Sequence, residues 1–269
     1  MEKTTVSFPN LNLTFNMDRV AFSVFGFDIY WYALIITFGI IMAYIFITLE
    51  GKRQKIDTEI FSDIILIGLP CAIIGARLYY VIYKWEYYSK NLLDIFNLRN
   101  GGLAVYGGVI AGVLAAYIYL KKKKQPILKI FDICSIGLLI GQCIGRWGNF
   151  VNVEAYGYET NSFFKMEIFS DVYDKIVCVH PTFLYESMWN LAGIILLAVL
   201  IRRKKYDGQI FFSYIFWYGL GRFFIEGLRT DSLYIGSLRV SRVVALVSVI
   251  IGVAVNIILY KRNKKLEKI

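Results

Sequence analysis

Four polar side chains gather where an apolar run ends, in the stretch GRWGNFVNVEAYG (Gly145–Gly157): Arg146, Asn149, Asn152 and Glu154. A second group, Tyr218, Arg222 and Glu226, recurs at four-residue spacing and so shares one helix face. Arg77 and Glu186 are further ionisable residues inside apolar runs. Guanidinium forks match phosphate and carboxylate oxygens through paired hydrogen bonds, and asparagine amides suit hydroxyls. Ionisable groups inside a bilayer cost about 2.5–3.5 kcal/mol each on insertion scales, which makes them functional candidates. The bland alternative is that each arginine pairs with a glutamate and ties helices together. Asp132 lies 14 residues before Arg146, about 21 Å along a helix, too far to pair with it; it reads as structural.

The elements that must position these groups are long and greasy. Of the 269 residues 57% are hydrophobic and only 19% charged. Seven apolar runs, approximately Ile29–Leu49, Ile60–Tyr83, Gly102–Leu120, Ile127–Phe150, Pro181–Ile201, Ile210–Leu228 and Val240–Tyr260, are each long enough to cross a hydrocarbon core about 30 Å thick. They do not alternate at period two as barrel strands do. The expected fold is an all-α polytopic membrane protein of about seven transmembrane helices, forming a single domain over 1–269.

The net charge of +10 is placed informatively. Basic clusters at Lys52–Lys55, Lys121–Lys124, Arg202–Lys205 and Lys261–Lys265 follow the odd-numbered runs, so all lie on one side. The positive-inside rule makes that side cytoplasmic, with the N-terminus outside and the C-terminus in the cytoplasm. Anionic inner-leaflet lipid accounts for the clusters, and nucleic acid is not an expected partner. The arginine-rich ends then face outward, as do an N-terminal segment of about 1–28 and a loop of about 151–180. The first segment lacks the pattern of a removable signal peptide. Its Phe15, Val20, Phe22, Val24 and Phe25 suit an amphipathic stretch resting on the membrane surface. From the residues alone, the site is an outward-facing one for a phosphate-bearing amphiphile such as a phospholipid.

Glycines indicate how the helices pack. Gly137, Gly141 and Gly145 form a smooth stripe at four-residue spacing, which allows close backbone approach in lipid. In GGLAVYGG (Gly101–Gly108) two glycine pairs bracket Tyr106, exposing backbone N–H groups and leaving room beside the ring. The four cysteines and the single histidine, His180, show no metal-ligand spacing, and no cofactor is expected. His180 precedes Pro181 at a helix start and reads either as a capping group or as a base.

Together GRWGNFVNVEAYG, GGLAVYGG, HPTFLYES, YGLGRFFIEGLRTD and the early IYWYAL resemble the motifs of the prolipoprotein diacylglyceryl transferase family. The resemblance implies an enzyme of the bacterial cytoplasmic membrane with its active site toward the outer face. Such an enzyme moves a diacylglyceryl group from phosphatidylglycerol to the lipobox cysteine thiol of a prelipoprotein and releases glycerol phosphate. By position in the motifs, Arg146 would hold phosphatidylglycerol, with Asn149, Asn152, Glu154 and Gly157 continuing its motif. Arg222, Glu226 and Tyr218 would form the second polar cluster, Tyr32 would be the first-span tyrosine, and Gly107 would flank the substrate.

Tyr106 departs from the family pattern, standing where many members have a histidine proposed as a catalytic base. A phenol with an ordinary pKa near 10 is a poor base at pH 7. Either that histidine is not a universal base, or another group such as His180 substitutes. Cations lower a thiol's pKa, so a substrate thiol beside Arg146 and Arg222 can ionise without a dedicated base. The competing readings are a transporter or channel for an anionic solute, and a metal-dependent headgroup transferase. The paired span interruptions of transporters and an outward acidic metal cluster are both missing from the sequence.

Overall fold

The computed structural model describes residues 4–98, 101–170, 175–230, 234–235 and 238–266. The helices are α1 (Trp31–Arg53), α2 (Glu59–Tyr83), the short α3 (Trp85–Tyr88), α4 (Val105–Lys122), α5 (Ile127–Asn152), α6 (Thr182–Leu200), α7 (Gln209–Ile225) and α8 (Val240–Leu266). Among the described residues six are long and apolar enough to cross a membrane: α1, α2, α4, α5, α6 with its extension to Arg203, and α8. The remaining apolar run forms α7, of 17 residues, which tightens into a 3₁₀ turn over Glu226–Leu228. Large apolar side chains such as Phe38, Leu49, Leu66, Ile82 and Ile195 lie exposed on these helices, as expected of surfaces that meet lipid rather than water.

The all-α expectation needs one correction. The N-terminal segment and the stretch expected as an outer loop contain strands β1 (Thr4–Phe8), β2 (Leu13–Met17), β3 (Val20–Val24), β4 (Phe27–Tyr30), β5 (Met166–Ser170) and β6 (Lys175–Val179), and β7 (Tyr234–Ile235) and β8 (Leu238–Arg239) follow α7. An antiparallel sheet of order β2-β1-β5-β6 joins the two segments, with Val6 opposite Ile168. Its inward residues alternate, Val6 and Phe8, Met166 and Ile168, Val177 and Val179, and pack on Phe150 of α5 and Phe183 of α6. Period-two burial is what a half-covered sheet requires, but runs of five residues carry a weak signal beside twenty-residue apolar helices. β3 and β4 form a separate hairpin that runs directly into α1. Its tip, Phe25-Gly26, takes positive φ at both residues, as two-residue hairpin turns demand, and Phe25 is 98% exposed.

The chain forms two compact units, Met1–Ile47 with Phe131–Ile269, and Thr48–Ile130. In the first, α1 lies along α5 on the glycine stripe. A Cβ at Gly137 would meet Ile47 at 2.6 Å, one at Gly145 would meet Ile36 at 3.3 Å, and one at Gly148 would meet the Tyr32 ring at 2.7 Å. The packing role expected of the stripe is found at Gly137 and Gly145, whereas a Cβ on Gly141 would meet nothing within 4 Å. Asp132, fully buried, accepts hydrogen bonds from the backbone N–H groups of Gly208 and Phe211 and pairs with Lys204 at 3.1 Å. It therefore caps the start of α7, where a carboxylate complements the exposed N–H groups and the helix dipole.

In the second unit α2 and α4 cross closely, because Gly75 and Gly107 face each other. A Cβ on Gly107 would meet the Gly75 carbonyl and Tyr79 Cβ, both at 2.4 Å. Among the described residues Arg77 pairs with no glutamate. It donates to the carbonyls of Ile95 (2.8 Å), Asn97 (3.0 Å), Gly101 (2.8 Å), Gly102 (3.0 Å) and Asp94, gathering the connection between α3 and α4 around one guanidinium. Gly101 and Gly102 both have positive φ (75° and 77°). The first glycine pair thus turns carbonyls toward Arg77, where exposed N–H groups had been expected.

Candidate active site

The motif GRWGNFVNVEAYG forms the last turns of α5 and the chain that leaves it. The helix ends in a Schellman-type closure: the Glu154 N–H donates to the Asn149 carbonyl at 3.0 Å, around Val153 at φ 53°. A β-branched residue in this left-handed conformation is uncommon, since glycine usually occupies it. The closure turns Glu154 back on the helix, where its carboxylate accepts from Asn149 Nδ2 (2.8 Å) and Asn152 Nδ2 (3.3 Å). Asn149 Oδ1 in turn accepts from Arg146 at 3.4 Å. The motif is therefore a polar chain, in which Asn149 links Arg146 to Glu154 and Asn152 adds a second amide to Glu154. Tyr32 of α1 lies against Gly148 within the same turns.

Glu186 of α6 is the centre on which the arginines converge. Arg146 of α5 pairs with Glu186 Oε2 at 2.5 Å, while Arg222 of α7 and Arg229 each reach Oε1 at 3.1 Å. Arg222 also pairs with Glu226, one turn on, at 2.5 Å. The pairing expected on the bland reading is thus present, but exposure within it is uneven. The Arg146 and Arg222 side chains keep 21% and 18% of their surface, against 7% for Glu186 and 1% for Glu226. The carboxylates stand behind, and the guanidiniums are the face an incoming group meets. Three arginines against two glutamates leave one positive charge in excess at this cluster.

Gly157 holds the surround together. Its N–H donates to the His180 carbonyl at 2.9 Å and it bridges Arg229. A Cβ there would sit 2.7 Å from both His180 Cβ and the Leu228 carbonyl, so three chain segments meet closely enough to exclude any side chain. Thr182 donates to the Ala155 carbonyl from the start of α6. Arg239 of β8 donates to the Tyr158 hydroxyl at 2.7 Å and to the Glu226 carbonyl, fastening the final 3₁₀ turn. His180 Nδ1 lies 3.3 Å from the Tyr185 hydroxyl, and burial lowers the imidazole's pKa, which favours its neutral form. Cys178 sits beside Glu167, and burial with that carboxylate raises its pKa, away from thiolate chemistry.

Arg146, Asn149, Asn152, Glu154, Gly157, Tyr32, Arg222, Glu226, Tyr218 and His180 all belong to the first unit; Tyr106 and Gly107 belong to the second. There Tyr106 is half-buried in the first turn of α4, and Gly107 is occupied by its contact with α2. Three members of this network are not marked as site residues by the sequence: Glu186 is legible as an intramembrane carboxylate but not as the hub, and Arg229 and Arg239 fall outside the candidate set. Arg229 falls in GLRTD, one turn beyond Glu226, and that spacing was a usable signal.

Six apolar membrane-length helices among the described residues, with a small sheet packed on α5 and α6 and a cluster of arginines and glutamates joining α5, α6 and α7, define a polytopic membrane protein. Residues 19–258 match the family model described as prolipoprotein diacylglyceryl transferase. The chain belongs to the prolipoprotein diacylglyceryl transferase family. It is 50% identical over 242 residues to a protein of Finegoldia magna, covering 90% of this chain and 95% of the relative. It is 46% identical to one of Clostridioides difficile (92% and 98% covered) and 44% identical to one of Bacillus cereus (88% and 90% covered). All three relatives carry the name phosphatidylglycerol–prolipoprotein diacylglyceryl transferase.

Proposed function

We propose that this protein transfers the diacylglyceryl group of phosphatidylglycerol to the lipobox cysteine thiol of a prelipoprotein. The sulfur attacks the glycerol carbon that carries the phosphate ester, a C–S bond forms, and the C–O bond to phosphate breaks. Glycerol phosphate leaves with the bonding electrons, and the thiol proton ends on the released phosphate. One observation supports this assignment above others: Arg146 and Arg222 meet over Glu186 with their guanidiniums outermost. That arrangement offers forked donors to the donor lipid's phosphate and stabilises the charge gathering on it as the C–O bond breaks. The same cations favour the thiolate of the incoming cysteine.

In this reading Asn149, Asn152 and Glu154 hold Arg146 in place, Gly157 fixes the surround, and Tyr32 and Tyr218 border the lipid. Arg222 is oriented by Glu226, and Tyr106 orients the substrate by hydrogen bonding. His180, neutral, is the candidate proton carrier. We further propose seven spans, α7 with its 3₁₀ turn being the sixth, in one transferase domain. The N-terminus and site face outward, and the basic clusters lie in the cytoplasm of a bacterial inner membrane. A transporter or channel for an anionic solute finds no support in the family assignment.

Purified protein given phosphatidylglycerol and a lipobox peptide should yield a thioether-linked peptide heavier by one diacylglyceryl group, without added metal. Arg146→Ala should abolish the product. Failure of the wild type to make it would remove the enzymatic reading.

A further inference from the structure

We infer that strand β2 (Leu13–Met17) is a docking edge for the substrate polypeptide, which adds the extended segment following its lipobox cysteine to the sheet as a further strand. The inference rests on the transferase reading above. β2 ends the β2-β1-β5-β6 sheet and pairs only with β1. Backbone groups alternate between the two sides of a strand, so every second residue of β2 turns its N–H and C=O away from β1. Among the described residues no backbone hydrogen bond reaches that outer side, and Leu13 to Asn16 are all exposed. The opposite edge is treated differently. The Thr160 N–H donates to the Cys178 carbonyl and the His180 N–H to the Tyr158 carbonyl, closing the end of β6 beside the site. An open edge normally carries a guard against chance pairing, such as a lysine, a proline or a bulge. LTFNM holds no charge and no proline, and its register with β1 runs unbroken from Leu13 to Met17.

The place of the edge identifies its partner. Phe15 packs edge-on against Phe150, with ring centroids 5.7 Å apart, and Phe150 lies one turn beyond Arg146 on α5. Arg19, two residues past β2, donates to the Asn152 carbonyl at 3.2 Å, within GRWGNFVNVEAYG. The edge thus stands beside the end of the helix that carries Arg146, within reach of roughly four to six extended residues at about 3.3 Å each. In an exported precursor the apolar signal segment precedes the processing site. The chain leaving the lipobox cysteine is therefore the part that passes this edge. A transferase for prelipoproteins as a class meets many sequences there. Main-chain pairing gives affinity without reading side chains, which is the recognition such a substrate needs.

Disulfide trapping tests this without turnover, which separates it from failure of the transferase reading. Thr14→Cys, in full-length protein that also carries Cys178→Ser, is incubated with lipobox peptides in which serine replaces the lipobox cysteine. Each peptide bears one cysteine at a successive position about three to eight residues further on. Paired strands lie about 4.8 Å apart, within disulfide reach. Ser7, opposite Thr14 on β1, lies one strand further off. Thr14→Cys should trap the peptide at every second position, as alternation along a strand requires, and Ser7→Cys should trap far less. In turnover, N-methylating one edge-facing residue of the segment should raise KM roughly 3- to 10-fold, the effect of one hydrogen bond. Scrambling its side chains should leave KM near the starting value. Equal trapping at Ser7 and Thr14, trapping without the two-residue period, or N-methylation without effect on KM would each overturn the inference. So would Thr14→Cys joining two copies of this chain in place of the peptide.

Discussion

Trp189 and Trp217 hydrogen-bond each other's backbone. Each indole Nε1 donates to the other residue's carbonyl at 3.0 Å, and the rings stack 4.4 Å apart at 17°. A glycine four residues after each tryptophan makes the room: a Cβ on Gly193 would meet Trp217 Nε1 at 2.5 Å, and one on Gly221 would meet Trp189 Nε1 at 2.2 Å. This two-fold lock sets the register of α6 against α7 one turn below the Glu186–Arg222 pair. Two polar N–H groups and two carbonyls are satisfied within apolar surroundings, as lipid-embedded helices require.

Gly221→Ala should force the indole aside and cost about 1–3 kcal/mol in overpacking. Apparent Tm and turnover should fall together. Trp217→Phe keeps the ring but loses one hydrogen bond, and should cost only about 1 kcal/mol.

Arg146→Lys keeps the charge but removes the fork. Turnover should drop roughly 10²-fold, the scale for losing one transition-state donor, while detergent melting stays near wild type. Glu186→Ala should differ, because it strips Arg146, Arg222 and Arg229 of the carboxylate they share and leaves Glu226 to face the cluster. Breaking so buried a network costs roughly 3–5 kcal/mol, so loss of folded protein should accompany loss of activity.

Asp132→Ala removes the cap of α7 at the end far from the site. With Lys204 and two backbone N–H groups stripped of their buried partner, apparent Tm should fall strongly. Specific activity of the surviving folded fraction should change little.

His180 has a folded pKa below its ordinary value of about 6.5. Its contribution to stability is therefore complete above pH 6.5 and is lost as pH falls toward the lowered value. Apparent Tm should decline from about pH 6.5 downward, and His180→Gln should flatten that decline. If His180 also carries the thiol's proton, His180→Ala should lose turnover steeply and shift the pH profile.

Tyr106→Phe should damage turnover if the phenol orients substrate, whereas Tyr106→His should be tolerated. The nucleophile belongs to the substrate, so serine at Cys71, Cys134, Cys143 or Cys178 should leave product formation near wild type. A folded but inactive Cys178→Ser would contradict this.

The sequence by itself determined the apolar spans, the basic clusters, the glycine stripe of α5 and the family motifs. Each of these is a local pattern, set by helical period, run length or contiguous residues. The structural role of Asp132 also followed from distance along one helix. The sheet was harder to see, because β1 and β5 each carry only five residues and pair across a sequence separation of 160 residues. Tertiary structure alone decided that Glu186 is the hub. Its arginine partners lie 36 to 43 residues away on different elements, and no local period records which side chains three packed helices bring together. It likewise decided that Asn149 bridges Arg146 to Glu154 while Asn152 serves Glu154. A side chain's first partner depends on how the helix ends, and here the turn at Val153 folds the acid back onto the amides.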